Sequence, residues 1–425
     1  MGRTKRIVMK RKKLKPGQCI LSQTAPYEVV DILGSGGFGD VYKVKRLKAD
    51  GSPEFALKTE FFDPNKKKCL DRLKVEMGVF LEISQSKDFK AFQHFIEMAD
   101  KGRTEEFKFI VMPIVGNSIE TIRREIIQGN LKPASVIRIG LQTLEAIRDI
   151  HKIGFLHRDV KPHNFAVGLA PNENIIYMLD FGIARRYREK DGRLRIPREE
   201  VKFLGTVKFA SRACHHAKEQ SRKDDLESWI FMILDLLHPA NLTWRREFDR
   251  KMVTAMKEEL FRKTDDVKLK CPAEVIACVR HIGGLGFADD PDYEYLGDCL
   301  TRGAMREKLD LQAPFEWIGL GSAKKKKKKK TDANKLQDDE NDDSEERRRR
   351  EVKAAERAKK PPTSEDQKFS KKSVSRSRLM TAKFVIKSPV TPTPTARSNE
   401  KSRKKVQPPS SSQKSSDPSS ENNKD

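Results

Sequence analysis

Long apolar runs and paired cysteines are scarce in this chain of 425 residues. No apolar stretch reaches the roughly 18 residues that a membrane-spanning helix needs, and residues 1–24 lack the apolar core of a secretory signal. The six cysteines include no Cys-x-x-Cys pair. This excludes the common zinc frameworks and favours reduced thiols. These absences predict a protein of the cytoplasm, or of the nucleus.

Aromatic residues are almost missing from the C-terminal quarter, where only Phe369 and Phe384 follow residue 323. Of the formal net charge of +25, residues 1–24 carry +8 and residues 324–425 carry +14, which leaves only +3 between them. Such a tail cannot bury enough apolar area to offset chain entropy. The composition therefore predicts a basic N-terminal arm (1–24), a folded domain (25–320) and a disordered tail rich in Lys, Ser and Pro (321–425).

Hydrophobic periodicity divides the central domain into two parts. Residues 27–33, 41–45, 55–59 and 107–112 alternate like strands, and one helical pattern over 68–84 interrupts them. Later patterns have the helical period, at 134–152, 223–237 and 246–262. A strand-rich part followed by a helix-rich part predicts an α+β fold with two lobes.

The octapeptide His-Arg-Asp-Val-Lys-Pro-His-Asn at 157–164 brings together groups that serve phosphoryl transfer. The carboxylate of Asp159 can take a proton from a hydroxyl, the ammonium of Lys161 can neutralise a phosphoryl group, and Asn164 can hold a metal ion. Alone, the octapeptide could be a loop that matches by chance.

Three further motifs decide between a phosphoryl-transfer site and a chance match. The glycine turn Gly-Ser-Gly-Gly-Phe-Gly at 34–39 could bind a dinucleotide, but a strand-like pattern follows it where that reading needs a helix. Lys58 ends an apolar strand pattern, and Glu76 is its expected carboxylate partner, with Glu82 as an alternative. Asp180 begins an Asp-Phe-Gly triplet that follows another strand pattern, which is typical of a metal ligand.

With these four motifs in this order, the chain resembles the eukaryotic protein kinases over residues 27–317. Within them it is most similar to the casein kinase I group and its tau–tubulin kinase branch. The segments behind this are Gly154–Asp159, Lys161–Ala166, Met178–Arg185, Gly205–Ser211, Asp224–Ser228 and Pro291–Tyr293. Gly-Thr-Val-Lys-Phe-Ala-Ser stands where most kinases have Ala-Pro-Glu. Thr243 and Ile230 depart from the proline and glycine usual in the group, away from the phosphates.

The resemblance implies a bilobal protein kinase fold and a serine/threonine kinase that uses ATP and Mg²⁺. Met112 would lie behind the adenine, Pro113 would offer its carbonyl, and Val115 its N–H. The implied catalytic residues are Asp159, Lys161, Asn164 and Thr206, and the implied metal ligands are Asn164 and Asp180. The implied ATP-binding residues are Leu33, Gly34, Ser35, Gly36, Gly37, Phe38, Gly39, Asp40, Val41, Ala56, Lys58, Glu76, Met112, Pro113, Val115 and Ala166.

The segment 183–205 contains no Ser or Thr, and Tyr187 is its one hydroxyl-bearing side chain. We therefore expect an enzyme that needs no activating phosphorylation there. Ten basic residues against four acidic ones over 185–212 favour acidic or already phosphorylated protein substrates. A solvated charged loop is the alternative interpretation.

Two other functions stay open. The fold could be a pseudokinase scaffold, against which the intact Lys58, Asp159, Asn164 and Asp180 argue. Alternatively, the lysine run at 324–330 could tether the chain to tubulin or tubulin-associated proteins, or to nucleic acid. The tail lacks interleaved aromatic residues on which bases could stack. We therefore expect it to bind nucleic acid without sequence specificity, if it binds nucleic acid.

Overall fold

The computed structural model describes residues 13–36, 39–47, 51–62, 71–86, 92–189, 191–264 and 266–320. Residues 1–12 of the predicted arm, the turn residues Gly37 and Phe38, and the predicted tail lie outside the described residues. The described part has a strand-rich first lobe and a helical second lobe, which confirms the predicted α+β bilobal fold. Within it, every helix is too short or too polar to cross a bilayer.

The first lobe is an antiparallel sheet of six strands in the order β1-β2-β3-β4-β6-β5. Its strands are β1 (Cys19–Leu21), β2 (Pro26–Ser35), β3 (Asp40–Arg46), β4 (Glu54–Phe61), β5 (Asp100–Arg103) and β6 (Phe107–Pro113). The four predicted strands are confirmed as β2, β3, β4 and β6. Strands β1 and β5 were not predicted, and β1 lies within the segment assigned to the basic arm.

Alternation along these strands explains the sheet. In β3 the side chains of Tyr42 and Val44 are fully buried while their neighbours are partly exposed. Together with Leu57 and Phe109 they form an apolar cluster on the outer face of the sheet, which Leu14 helps to cover. The opposite face, with Ala56 and Met112 among others, joins the large core of the helical lobe.

The main helices are α1 (Arg72–Ser84), α3 (Pro133–Lys152), α5 (Arg222–Leu237), α6 (Arg250–Arg262), α7 (Ala273–Gly284) and α8 (Tyr293–Arg306), and α2 (Ile119–Thr121) and α4 (Arg212–His215) are short. Proline at its first position suits the start of α3. A capping box between Ser221 and Asp224 starts α5, which is buried almost throughout. Helix α6 begins four residues later than predicted, because the side chain of Asp249 caps it.

Two short strand pairs hold the loops between the lobes. They are β7 (Phe155–Leu156) with β10 (Arg185–Arg186) and β8 (Phe165–Val167) with β9 (Ile176–Met178). The octapeptide 157–164 therefore runs from the end of β7 to the start of β8. Asp180 follows β9 by two residues, so its position is fixed by the same small ladder.

Candidate active site

A cavity of about 740 Å³ opens between the sheet and the helical lobe. Residues from both lobes line it, including predicted ones that are far apart in the chain. The predicted residues in its lining are Leu33, Gly34, Ser35, Gly36, Gly39, Val41, Ala56, Lys58, Glu76, Met112, Pro113, Val115, Asn164 and Asp180. A cavity of this size falls in the range of small-molecule sites.

The glycine turn between β2 and β3 forms one edge of the cavity. The N–H of Gly36 donates to the carbonyl of Gly39 over 2.9 Å. A Cβ on Gly39 would lie 1.7 Å from the carbonyl oxygen of Thr59, so only glycine allows β4 to pass this closely. Of the turn residues that the structure describes, Gly34, Gly36 and Gly39 therefore present only backbone at this edge.

Lys58 of β4 sits between two carboxylates. Its Nζ lies 2.7 Å from Oε2 of Glu76 on α1 and 2.9 Å from Oδ1 of Asp180. Burial alone would lower the pKa of Lys58, but the charges of Asp180 and Glu76 outweigh it and raise that pKa above its usual value. The Lys58 charge also holds the pKa of Asp180 well below its usual range. Lys58 is therefore an ammonium and Asp180 a carboxylate at neutral pH.

Asp180 is held in an unusual backbone conformation with φ of +63°. The next residue, Phe181, is fully buried and packs edge-on against Phe80 of α1, with ring centroids 5.5 Å apart. It also stacks on Phe95 at 6.1 Å. These contacts fix the residue next to Asp180, whose carboxylate lies 2.9 Å from Nζ of Lys58. A strained backbone conformation persists where its surroundings are held in this way.

Asp159 is the centre of a second polar group. Its Oδ2 lies 2.8 Å from Nζ of Lys161, and its Oδ1 accepts a hydrogen bond of 3.0 Å from the hydroxyl of Thr206. Lys161 also donates to the Thr206 oxygen over 2.9 Å. Nδ2 of Asn164 donates to the backbone carbonyl of Asp159 over 2.8 Å, so its Oδ1 is the atom that a metal ion would take.

The C-terminal end of β6 and the residues after it line another side of the cavity. Ala56 of β4 faces Met112 in register, and both line the cavity together with Pro113 and Val115. Met112 is 8% exposed and belongs both to the cavity lining and to the large hydrophobic core.

Two predicted residues lie elsewhere. Asp40 is buried, and its carboxylate accepts from the hydroxyl of Tyr42 over 3.2 Å, on the outer side of the sheet. Its neighbour Val41 faces the cavity, since adjacent strand residues point to opposite faces. Ala166 is buried in β8 and is not part of the cavity lining. Leu169 and Leu179, from the same part of the chain, do line the cavity. Of the predicted ATP-binding residues that the structure describes, Asp40 and Ala166 are therefore the two that do not line this cavity.

A residue that sequence reasoning missed orders the octapeptide. Asp225 of α5 is buried, and its two oxygens accept from the backbone N–H groups of His157 at 2.7 Å and Arg158 at 2.8 Å. It also contacts Nε2 of His151 at 2.9 Å. Burial would raise the pKa of Asp225, but the His151 hydrogen bond and charge lower it. The Asp-Asp-Leu-Glu-Ser segment was the available signal, although it was used only as a mark of resemblance.

Together these groups can bind a polyanion and deprotonate a hydroxyl. Lys58 offers a cation at the cavity wall, and Asp180 and Asn164 offer the oxygen ligands that Mg²⁺ prefers. Asp159, with its carboxylate side chain 13% exposed, can accept a proton beside the cation of Lys161. This donor set fits a nucleotide triphosphate with its metal ion.

Comparisons with known proteins agree with this geometry. Residues 27–295 match the family described as "Protein kinase domain". Two Caenorhabditis elegans proteins, "Putative serine/threonine-protein kinase ZK507.1" and "ZK507.3", are 37% and 35% identical over 62% and 72% of this chain, and 78% and 77% of their own lengths. "Serine/threonine-protein kinase spe-6" of the same organism is 29% identical over 68% of this chain and 75% of its own length.

Proposed function

We propose, given that this chain belongs to the protein kinase family and is a serine/threonine protein kinase, that it works as a casein kinase I group enzyme of the tau–tubulin kinase branch. The enzyme would transfer the γ-phosphate of ATP, with Mg²⁺, to Ser or Thr of proteins. Support for the group is the Gly-Thr-Val-Lys-Phe-Ala-Ser segment at 205–211. The observation that carries the phosphotransfer is the pair of polar groups around Lys58 and Asp159, with the charges required for transfer present and paired. The same pairs disfavour a pseudokinase scaffold.

Each residue then has a defined task. Lys58, held by Glu76, would contact the α- and β-phosphates, and the backbone of the glycine turn would lie over them. Bound Mg²⁺ supplies positive charge against the phosphates, and Asn164 and Asp180 would hold it. Asp159 would orient the substrate hydroxyl and accept its proton while Lys161 faces the γ-phosphate.

Transfer of labelled γ-phosphate from ATP to casein tests this function. Wild-type protein with Mg²⁺ should label casein on Ser and Thr, and chelation of the metal should remove the signal. Absence of labelling with every metal and substrate tried would favour the scaffold reading. A signal on Tyr alone would contradict the serine/threonine assignment.

We also propose that the enzyme is competent without phosphorylation of its activation loop, by which we mean the segment 183–205 that follows Asp-Phe-Gly. Tyr187 is 9% exposed, and its hydroxyl donates to the carbonyl of His151 over 2.9 Å. Arg198 makes a bidentate ion pair with Glu219, at 2.5 and 2.9 Å. These contacts tie the segment 183–205 to the helical lobe, and its one hydroxyl-bearing side chain is buried.

Protein made in bacteria and treated with phosphatase should therefore retain at least about half of the activity of protein from eukaryotic cells. Tyr187→Phe, which removes one buried hydrogen bond, should change kcat by less than about fivefold because such a bond contributes about 1 kcal/mol. Casein labelling by the matched preparations is the measurement. An enzyme that is silent until another kinase modifies it would contradict the proposal.

For substrates, we propose a preference for acidic or already phosphorylated segments. Most of the basic residues over 185–212 form ion pairs with acidic side chains of the same domain, for example Arg195 with Glu189 and Lys208 with Asp235. Arg185 and Arg198 share the one carboxylate of Glu219, at 3.4 and 2.5 Å. The charges of both also act on Arg158. Burial and the charges of Arg185 and Arg198 lower the pKa of Arg158 to about 10. This excess of positive charge favours an anion.

Peptides that differ only in the residues flanking one serine should reveal this preference. We expect kcat/KM to be about tenfold higher with Asp or phosphoserine flanks than with Lys flanks, which corresponds to about 1.4 kcal/mol. The ratio should shrink at high salt, because screening weakens exposed charge pairs. A higher kcat/KM for the Lys-flanked peptide would reject the preference.

The basic tail supports a second proposal. Its lysine run at 324–330 could bind an acidic surface of tubulin or of tubulin-associated proteins, or nucleic acid, in the cytoplasm or nucleus. Sedimentation of residues 324–425 with microtubules or with DNA at rising salt tests it. Binding that is absent at low salt would remove this proposal.

A further inference from the structure

Glu82 and Arg186 form an ion pair between helix α1 and the start of the activation loop. Glu82, considered above as another partner for Lys58, lies six residues after Glu76, or about 9 Å along the helix axis. Arg186 belongs to β10, where it faces Phe155 of β7 in register, and its guanidinium lies 4.5 Å from the centre of that ring. The arginine is thus held by the helical lobe while it contacts a helix of the other lobe.

The other end of α1 is fastened to the sheet. Asp71 caps the helix by accepting from the N–H of Lys74, and Glu60 of β4 accepts from the N–H groups of Arg72 and Leu73 at 3.1 and 2.9 Å. Glu76 lies between the two anchored ends. A helix fixed only at its N-terminal end can swing about that end, whereas one fixed at both ends holds its middle in place.

We propose that Glu82 and Arg186 form a latch that positions Glu76 against Lys58. The proposal deepens, and rests on, the proposed kinase function. In some proteins a phosphate added to a loop orders that loop through new ion pairs. The activation loop of this chain contains no Ser or Thr. The latch links the loop to α1 with two permanent side-chain charges instead. Both residues are positioning residues, since they line a separate cavity of about 630 Å³ behind the helix.

Charge reversal tests the latch. Glu82→Arg and Arg186→Glu each place like charges together, so kcat/KM with casein should fall about tenfold. The double variant, which restores an opposite pair, should recover to within about threefold of wild type. Reversal of Arg306 alone (Arg306→Glu), which breaks an ion pair of 3.1 Å with Glu274 between α7 and α8, should leave kcat/KM within twofold.

A double-mutant cycle separates positioning from general stabilisation. In a Glu76→Gln background, Lys58 keeps Asp180 but has lost its carboxylate partner on α1. There, adding Glu82→Arg should lower kcat/KM by less than about a further twofold. If the fold-losses in kcat/KM of the two single variants multiply in full in the double variant, Glu82 does not act through Glu76 and the latch is overturned. Failure of the swapped pair to recover activity, when each single reversal is damaging, also overturns it.

Hydrogen–deuterium exchange keeps the test independent of catalysis. Amides over 72–84 should exchange faster in Glu82→Arg than in wild type, and the swapped pair should restore protection. If wild type transfers no phosphate but exchange follows this pattern, the kinase function fails and the latch as a structural link stands. If wild type is active and the reversals change neither exchange nor kcat/KM, the latch fails and the function stands.

Discussion

Asp159→Asn is expected to lower kcat for casein phosphorylation by about a thousandfold, as is typical when a catalytic base is lost. The carboxamide keeps the size of the side chain and can still accept from Thr206, so the site should remain assembled. It cannot accept the proton of the substrate hydroxyl, and it no longer balances the charge of Lys161 at 2.8 Å. ATP affinity should change little because Asp159 does not line the nucleotide cavity.

The measurement is labelled-phosphate transfer alongside ATP binding by calorimetry. Asp298→Asn is the matched control, since this carboxylate of α8 is 72% exposed and its pair with Arg302 is loose at 3.9 Å. The control should retain wild-type kcat. Asp159→Asn protein that labels casein within tenfold of wild type would show that the phosphotransfer depends on another group.

Asp225→Ala should have the largest effect on stability. The substitution removes the buried acceptor of three groups, which are the backbone N–H groups of His157 and Arg158 and the ring of His151. Each buried donor left without its acceptor costs about 1–3 kcal/mol, so we expect the loss of this acceptor to cost about 3–5 kcal/mol in all. In a domain of this size that lowers Tm by roughly 6–20 °C. Activity should fall as well, since the backbone of the octapeptide loses its anchor.

Thermal unfolding followed by casein labelling well below the transition checks both effects. Asp225→Asn offers a milder variant if the alanine form does not fold, because it keeps one acceptor oxygen. Asp298→Ala again gives the baseline for an exposed carboxylate. Wild-type Tm in Asp225→Ala would mean that water or a shifted side chain satisfies these donors.

The chemistry of the site could be read from the chain because its residues lie in short segments whose order is diagnostic. Lys58, Asn164 and Asp180 line one cavity, and Asp159 lies beside Lys161 and Thr206. The anchor at Asp225 was not predictable in the same way, because its partners are 67, 68 and 74 residues away and no local pattern records a tertiary hydrogen bond. The Glu82–Arg186 pair, 104 residues apart, was missed for the same reason.

Other misses had local explanations. Asp40 was included because it follows the glycine turn, although alternation along β3 places it on the face opposite Val41. Strand β1 has three residues, which is too short for a period to appear. The start of α6 was set by hydrophobic spacing, whereas the carboxylate of Asp249 decides where the helix begins.

The segment before Tyr27 has a consequence for how this domain can be isolated. Strand β1 pairs with β2, Ile20 and Leu14 are buried, and the N–H of Leu14 donates to the hydroxyl of Tyr42 over 3.1 Å. A fragment cut where the family match begins would leave β2 as a bare, pairing-competent edge beside an uncovered apolar face. Such edges promote strand-to-strand aggregation, so the smallest soluble fragment should start at Lys13 or earlier.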